Sequence, residues 1–315
     1  MTNKIKTAIN DQSTEIMKNK FIGTGVALIT PFHKQGTIDF GSFENLIEYT
    51  ISNGVNYLVV LGTTGESVTL SKDEKKALVE FAKEVINKRV PIVLGAGGNN
   101  TQEVIDQLKL ADDDGINAIL SVTPYYNKPT QRGLYLHFKQ IACATQLPII
   151  LYNVPGRTSV NMKPETTIQL ATEFDNIIGI KEASGNVPQI MEIIRQKPKG
   201  FLVISGDDAL TLPLIASGAD GVISVVANAY PHSFSKMVNA ALKGSMNEAR
   251  DIHYKLLPLI EALFADGSPG GIKAALDNMK IATNNLRLPI VKVNKQTQNL
   301  IVNYINELKE KNIEN

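Results

Sequence analysis

Disulfides are excluded at once, because the 315-residue chain carries a single cysteine, Cys143. It sits in the apolar stretch Ile141-Ala142-Cys143-Ala144, which predicts a small buried hydrophobe and not a nucleophile. Long hydrophobic runs are missing too, and none approaches the roughly 18 residues that a membrane span requires. The first twenty residues are polar and lack the apolar core of a signal peptide. These absences predict a reduced, cytoplasmic setting. An excess of either charge is also absent: 32 basic against 31 acidic side chains leave a net charge of +1. That balance gives no electrostatic footprint for nucleic acid. Aromatics make up only 6% of residues, yet 43% are hydrophobic, enough apolar material for a large core.

What is present is a rhythm. Short apolar runs at 25–29, 57–61, 91–94, 118–122, 148–152, 177–181, 201–205 and 221–225 alternate with amphipathic stretches. Nearly continuous apolar character is what strands buried on both faces require. Between the runs, Ser71-Lys72-Asp73-Glu74 reads as a capping box. Thr101 opens the next helix, which is expected to stop at Asp114-Gly115, and Asp207 or Asp208 can cap the segment that begins at Ala209. Eight such units predict an α/β fold, a (β/α)8 TIM barrel over 21–230. A polar N-terminal extension over 1–20 precedes it. After residue 230 the strand signal ends, and helical stretches near 231–264, 270–284 and 294–311 predict a C-terminal helical extension over 231–315. A dinucleotide fold fails on its fingerprint: the turn Gly95-Ala96-Gly97-Gly98-Asn99-Asn100 lacks the third glycine and a suitably spaced ribose-binding acid.

In such barrels the chemistry lies at the C-terminal ends of the strands. The sixth run ends Gly179-Ile180-Lys181-Glu182. Strict alternation places Ile178 and Ile180 on one face and Gly179 and Lys181 on the other. If the second face is the barrel interior, Lys181 enters a poorly solvated cavity. Desolvation then favours the neutral amine, which can attack a carbonyl. The fifth run ends Tyr152-Asn153-Val154-Pro155-Gly156-Arg157-Thr158. Tyr152 would stand beside Lys181 on the adjacent strand and could relay protons, while Arg157 offers a planar fork for a carboxylate. The second run ends Gly62-Thr63-Thr64-Gly65-Glu66-Ser67, whose hydroxyls and N–H groups suit a small carboxylate or keto-acid and equally fit a glycine-rich turn with a helix cap. The fourth leads into Tyr125-Tyr126-Asn127-Lys128-Pro129. By contrast, Asp112-Asp113-Asp114 reads as a solvated helix end. His33, His137, His232 and His253 lack zinc-ligand spacing, so no metal is expected.

These four strand-end motifs, in this order and spacing, resemble the dihydrodipicolinate synthases, and the likeness runs from about Phe21 to about Leu263. The resemblance implies condensation of pyruvate with L-aspartate-4-semialdehyde, on the way to diaminopimelate and lysine, with no metal or organic cofactor. It implies Lys181 as the Schiff-base lysine. Tyr152, Thr63 or Thr64, and Tyr126 from a neighbouring subunit form its proton relay. Arg157 holds the semialdehyde's carboxylate, and Gly206 and Ile223 fall where backbone contacts the bound pyruvate. A shared tyrosine implies an oligomer, a homotetramer built as a dimer of dimers.

The family's effector pocket falls on Ser67, Val68, Lys72, Lys75, Asn99, Glu103 and Tyr125. Lys72 and Lys75 stand where lysine-sensitive members carry histidines. Fixed positive charge near a cationic effector opposes its binding, so weak or absent inhibition by lysine is expected. The family's Asn-Pro-x-Pro-x-Lys stretch reads here Gly267-Ser268-Pro269-Gly270-Gly271-Ile272-Lys273, a looser version expected to alter helix packing and assembly but not chemistry. The nearest rival is another pyruvate aldolase, such as N-acetylneuraminate lyase; Arg157 and the Tyr125-Tyr126 pair argue against it. A non-catalytic ligand-binding paralogue would require the loss of Lys181, Tyr152 or Tyr126, and all three are present.

Overall fold

In the computed structural model, residues 19–111 and 115–313 are described. Most of the N-terminal extension and the Asp112-Asp113-Asp114 run therefore lie outside the described residues, as does the expected helix stop at Asp114.

The eight apolar runs become eight parallel strands: β1 (Gly23–Ala27), β2 (Tyr57–Val60), β3 (Ile92–Gly95), β4 (Ala118–Val122), β5 (Ile149–Asn153), β6 (Ile177–Glu182), β7 (Leu202–Ser205) and β8 (Gly221–Ser224). Each pairs with the next, and β1 pairs with β8 to close the barrel. Closure depends on a missing side chain: a Cβ at Gly221 would lie 2.1 Å from the Gly23 carbonyl oxygen. Two apolar layers result. The inner one includes Tyr57, Val59, Leu120, Ile150, Ile204 and Ile223. Phe21 meets Tyr57 edge-on there (centroids 5.6 Å apart), so bulky rings fill the end where the strands begin. The outer layer joins the sheet to its helices.

Those helices are α1 (Phe40–Ser52), α2 (Lys72–Ile86), α3 (Thr101–Gln107), α4 (Gln131–Cys143), the single turn α5 (Pro155–Thr158), α6 (Pro164–Glu173), α7 (Val187–Gln196) and α8 (Thr211–Ala216). The Ser71 capping box forms as read, with Ser71 and Glu74 exchanging side-chain-to-backbone hydrogen bonds. Thr101 opens α3 as read, and Asn100 caps it by accepting from the Gln102 N–H. The two aspartates after β7 divide their work. Asp207 accepts from the N–H groups of Ala209 and Leu210, while buried Asp208 accepts from those of Val225 and Val226 and fixes the chain leaving β8.

Cys143 corrects the expectation of burial, because it is exposed. The buried stripe of α4 runs through Leu134, His137, Phe138, Ile141 and Ala142. One further residue rotates about 100° and leaves that stripe.

The stretch expected over 231–264 is two helices, α9 (Pro231–Leu242) and α10 (Met246–Phe264), separated at Gly244, whose φ is +81°. α9 packs against β1 and β8, and α10 packs along α9. The short α11 (Gly270–Asn278) and the final α12 (Lys295–Glu310) complete the C-terminal helices, each packed on α10 and on each other.

Candidate active site

The strands' C-terminal ends open into a cavity of about 360 Å³, and Lys181 and Tyr152 both line it. They are direct register partners across β5 and β6. Lys181 is only 6% exposed. Its Nζ lies over the Tyr152 ring, 4.3 Å from the centroid.

How Lys181 comes to face inward differs in one detail from the alternation read off the sequence. Ile149 pairs with Ile177 but Ile150 pairs with Gly179, so β6 carries an extra residue. Ile178 consequently belongs to the inner apolar layer and Ile180 to the outer one; the two do not share a face. Beyond the bulge, Gly179 and Lys181 are partners of Leu202 and Ile204, both inner-layer residues. The lysine therefore enters the barrel.

The residues immediately after the pair lie on the opposite side of the sheet. Asn153 and Glu182 are register partners, and Asn153 donates its side-chain N–H to the Glu182 carboxylate. Ser184 and Gln189 donate to the same carboxylate at 2.5 and 3.2 Å. Burial raises the Glu182 pKa above the usual carboxylate range, and these hydrogen bonds oppose the shift. The network ties together the two strand ends that carry Lys181 and Tyr152. Neither Asn153 nor Glu182 was singled out from the sequence, although a polar residue following each inward-facing one is its signal.

Thr63 and Arg157 also line the cavity. Thr63 opens a 3-10 turn (Thr63–Gly65) whose Gly65 carbonyl accepts from the Thr30 hydroxyl at 2.7 Å. Thr64 is buried beneath and does not line the cavity. Arg157 sits on the α5 turn, exposed at the mouth. Gly206 is packed against the lysine stem: a Cβ there would lie 3.0 Å from Lys181 Cε. Ile223 is buried in the inner layer as the partner of Gly25. Tyr126 does not enter this chain's cavity; it projects outward, 88% exposed, from a left-handed backbone position (φ +70°).

Of the seven residues expected in an effector pocket, Ser67, Val68, Lys75 and Tyr125 line the cavity, whereas Lys72, Asn99 and Glu103 do not. Burial lowers the Lys75 pKa below that of an ordinary lysine. Gln107 is a cavity residue that sequence reasoning missed.

Fold and site together define the class, a (β/α)8 barrel with its cavity at the carboxyl ends of the strands. The model of the dihydrodipicolinate synthetase family matches residues 20–308, and the chain belongs to that family. The 4-hydroxy-tetrahydrodipicolinate synthase of Flavobacterium psychrophilum is 52% identical over 279 residues, covering 89% of this chain and 95% of that one. Among solved structures, the dihydrodipicolinate synthase of Thermotoga maritima superposes with a TM-score of 0.89 at 43% identity, covering 91% of this chain and 98% of its own. The 4-hydroxy-tetrahydrodipicolinate synthase of Methylacidiphilum fumariolicum gives 0.90 at 41%, covering 92% and 97%.

Proposed function

We propose that this protein condenses pyruvate with L-aspartate-4-semialdehyde through a Schiff base on Lys181, as its relatives' names suggest. The observation that carries the reading is the buried pairing of Lys181 with Tyr152 inside the cavity. The Lys181 amine adds to the pyruvate keto carbon, and loss of water leaves an imine. Removal of a methyl proton gives an enamine, whose carbon attacks the aldehyde. The semialdehyde's own amine then closes on the imine carbon and releases Lys181. The imine is the electron sink, so this route calls for no metal or organic cofactor.

Tyr152 and Thr63 serve as proton carriers in this scheme, and Tyr126 completes the relay from a neighbouring subunit. The outward projection of Tyr126 supports that sharing. The oligomer we propose is a homotetramer, two dimers each sharing their tyrosines. Arg157 at the mouth receives the semialdehyde's carboxylate, Thr64 supports the turn, and Gly206 and Ile223 offer backbone near the pyruvate. Among the described residues no helix is long and apolar enough to cross a membrane, and we place the reaction in the cytoplasm. The half-buried Lys75 ammonium in the cavity supports weak or absent inhibition by lysine.

The test is product formation from pyruvate with L-aspartate-4-semialdehyde, beside pyruvate with N-acetylmannosamine, with Lys181→Ala as control. Condensation with the semialdehyde alone, lost in the variant, is expected. Turnover of the sugar would reassign the substrate.

A further inference from the structure

The C-terminal helices reach back into the barrel through one buried charge. Lys273 on α11 is fully buried, and its Nζ lies 2.5 Å from Glu66 Oε1 and 2.8 Å from the Asn285 carbonyl oxygen. The same ammonium stands over the Phe32 ring, 4.3 Å from its centroid. Glu66 is equally hidden, with a side chain 1% exposed. Its second oxygen accepts from the Arg287 backbone N–H at 3.0 Å. The partners Glu66 and Lys273 are 207 residues apart in sequence. Burial lowers the Lys273 pKa to about 8 against the opposing pull of Glu66.

A buried ion pair is a poor stabiliser, since desolvation of both charges consumes most of their attraction. What it supplies is a fixed geometry, and here the geometry belongs to the catalytic cavity. Glu66 ends the Thr63–Gly65 turn in a left-handed conformation (φ 51°, ψ 34°) that costs free energy for a residue with a Cβ. Its N–H donates to the Thr63 carbonyl, and its own carbonyl accepts from the backbone and hydroxyl of Thr69. Arg287 holds the far side of the same segment, donating to the Thr69 carbonyl at 2.9 Å and to the Glu74 carboxylate at 2.8 Å. A strained position persists only where its surroundings over-determine it. Here they do so from the C-terminal helices and the loop that follows α11.

We propose that Lys273 and Glu66 are positioning residues for Thr63: the C-terminal helices hold Glu66, which ends the threonine turn, in its left-handed conformation, so that Thr63 lines the cavity containing Lys181. The role rests on the condensation proposed above. It also gives the loosened Gly267–Lys273 stretch a link to the chemistry, where its sequence suggested only helix packing and assembly. Neither residue touches substrate. Loss of the pair therefore leaves pyruvate imine formation intact and slows the later proton transfers.

The experiment is a double-mutant cycle between Thr63→Val and Lys273→Met, read by condensation kinetics, borohydride trapping of the pyruvate imine, and thermal melting. Met keeps the stem length and removes the charge. We expect Lys273→Met to lower kcat by about 10- to 100-fold, the scale of a small misplacement at a reacting centre. KM for pyruvate should stay within about twofold and the trapped imine should persist. Thr63→Val should cost far less in the Lys273→Met background than in wild type, because the turn is already displaced. Glu66→Gln is the milder partner variant, keeping an acceptor for the Arg287 N–H. It should couple to Thr63→Val in the same way, and it decides the question if Lys273→Met does not fold. A lowered Tm with unchanged kcat, or a Thr63→Val cost equal in both backgrounds, would overturn the positioning role alone. Wild-type protein that traps no pyruvate imine would overturn the proposed reaction, and this role with it.

Discussion

Gly206→Ala adds one methyl group where the site has no room for it. A Cβ at position 206 would lie 2.6 Å from the Ala183 Cβ, 3.0 Å from Lys181 Cε and 3.2 Å from the Glu182 carbonyl oxygen. Carbon atoms pack at roughly 3.5–4.0 Å, so the contact with Ala183 must open by about 1 Å. Ala183 has no rotamer to change, and the end of β6 must shift instead. That strand end carries Lys181 and also accepts the Gly206 N–H at the Glu182 carbonyl, 2.8 Å away. Overpacking of this kind costs about 1–3 kcal/mol of stability. A shift of about 1 Å in the attacking amine can cost about 100-fold in rate. The assay is kcat/KM for condensation, paired with thermal melting of the same preparations. Gly156→Ala is the internal control: it neighbours Arg157, but a Cβ there meets nothing within 4 Å, so it should be close to neutral. Wild-type kinetics in Gly206→Ala, or equal losses in the two variants, would refute the packing argument.

Arg157→Ala removes the exposed guanidinium at the mouth and should raise KM for the semialdehyde by about 10-fold or more, the scale of a lost charge-assisted hydrogen bond. Trapping of pyruvate on Lys181 should be untouched; an equal loss in trapping would contradict the assignment. L-Lysine should inhibit weakly or not at all, and micromolar inhibition in a kinetic titration would overturn that expectation. Buried His137 has its pKa lowered to about 4 by desolvation, and its Nδ1 meets the Thr101 hydroxyl at 2.9 Å. The unfolded chain therefore binds the proton first as pH falls. Stability from this residue is fully present above about pH 6.5 and is lost toward pH 4, by about 3 kcal/mol at roughly 1.4 kcal/mol per unit. Denaturant melts at pH 7.5 and 4.5 should show a smaller loss in His137→Leu than in wild type; identical losses would contradict it.

The strands were legible because a barrel strand is covered on both faces, and a short run that is apolar at every position suits few environments besides that one. The Lys181–Tyr152 pairing was legible for a related reason: adjacent parallel strands ending at the same layer bring their last inward residues together. Local irregularity was not legible. The bulge in β6 separates Ile178 from Ile180; Gly179 is its one sequence signal, but a strand glycine marks a close backbone approach as readily as a bulge. Cys143 was misread because an apolar tetrapeptide on a helix spans more than the buried stripe. The effector set divided because Lys72, Asn99 and Glu103 flank cavity residues without reaching the cavity themselves. Lys273 and Glu66 escaped because a contact across 207 positions leaves no periodicity, and a buried lysine looks in sequence like any surface one.

Lys181 is the residue on which the proposed chemistry depends, as the group that holds pyruvate. Incubation of the wild-type protein with pyruvate and borohydride, followed by peptide mapping by mass spectrometry, tests it directly. One reduced pyruvate adduct is expected on the peptide containing Lys181, and none in Lys181→Ala. An adduct on a different lysine, or protein left unmodified under conditions where it turns over, would contradict that role.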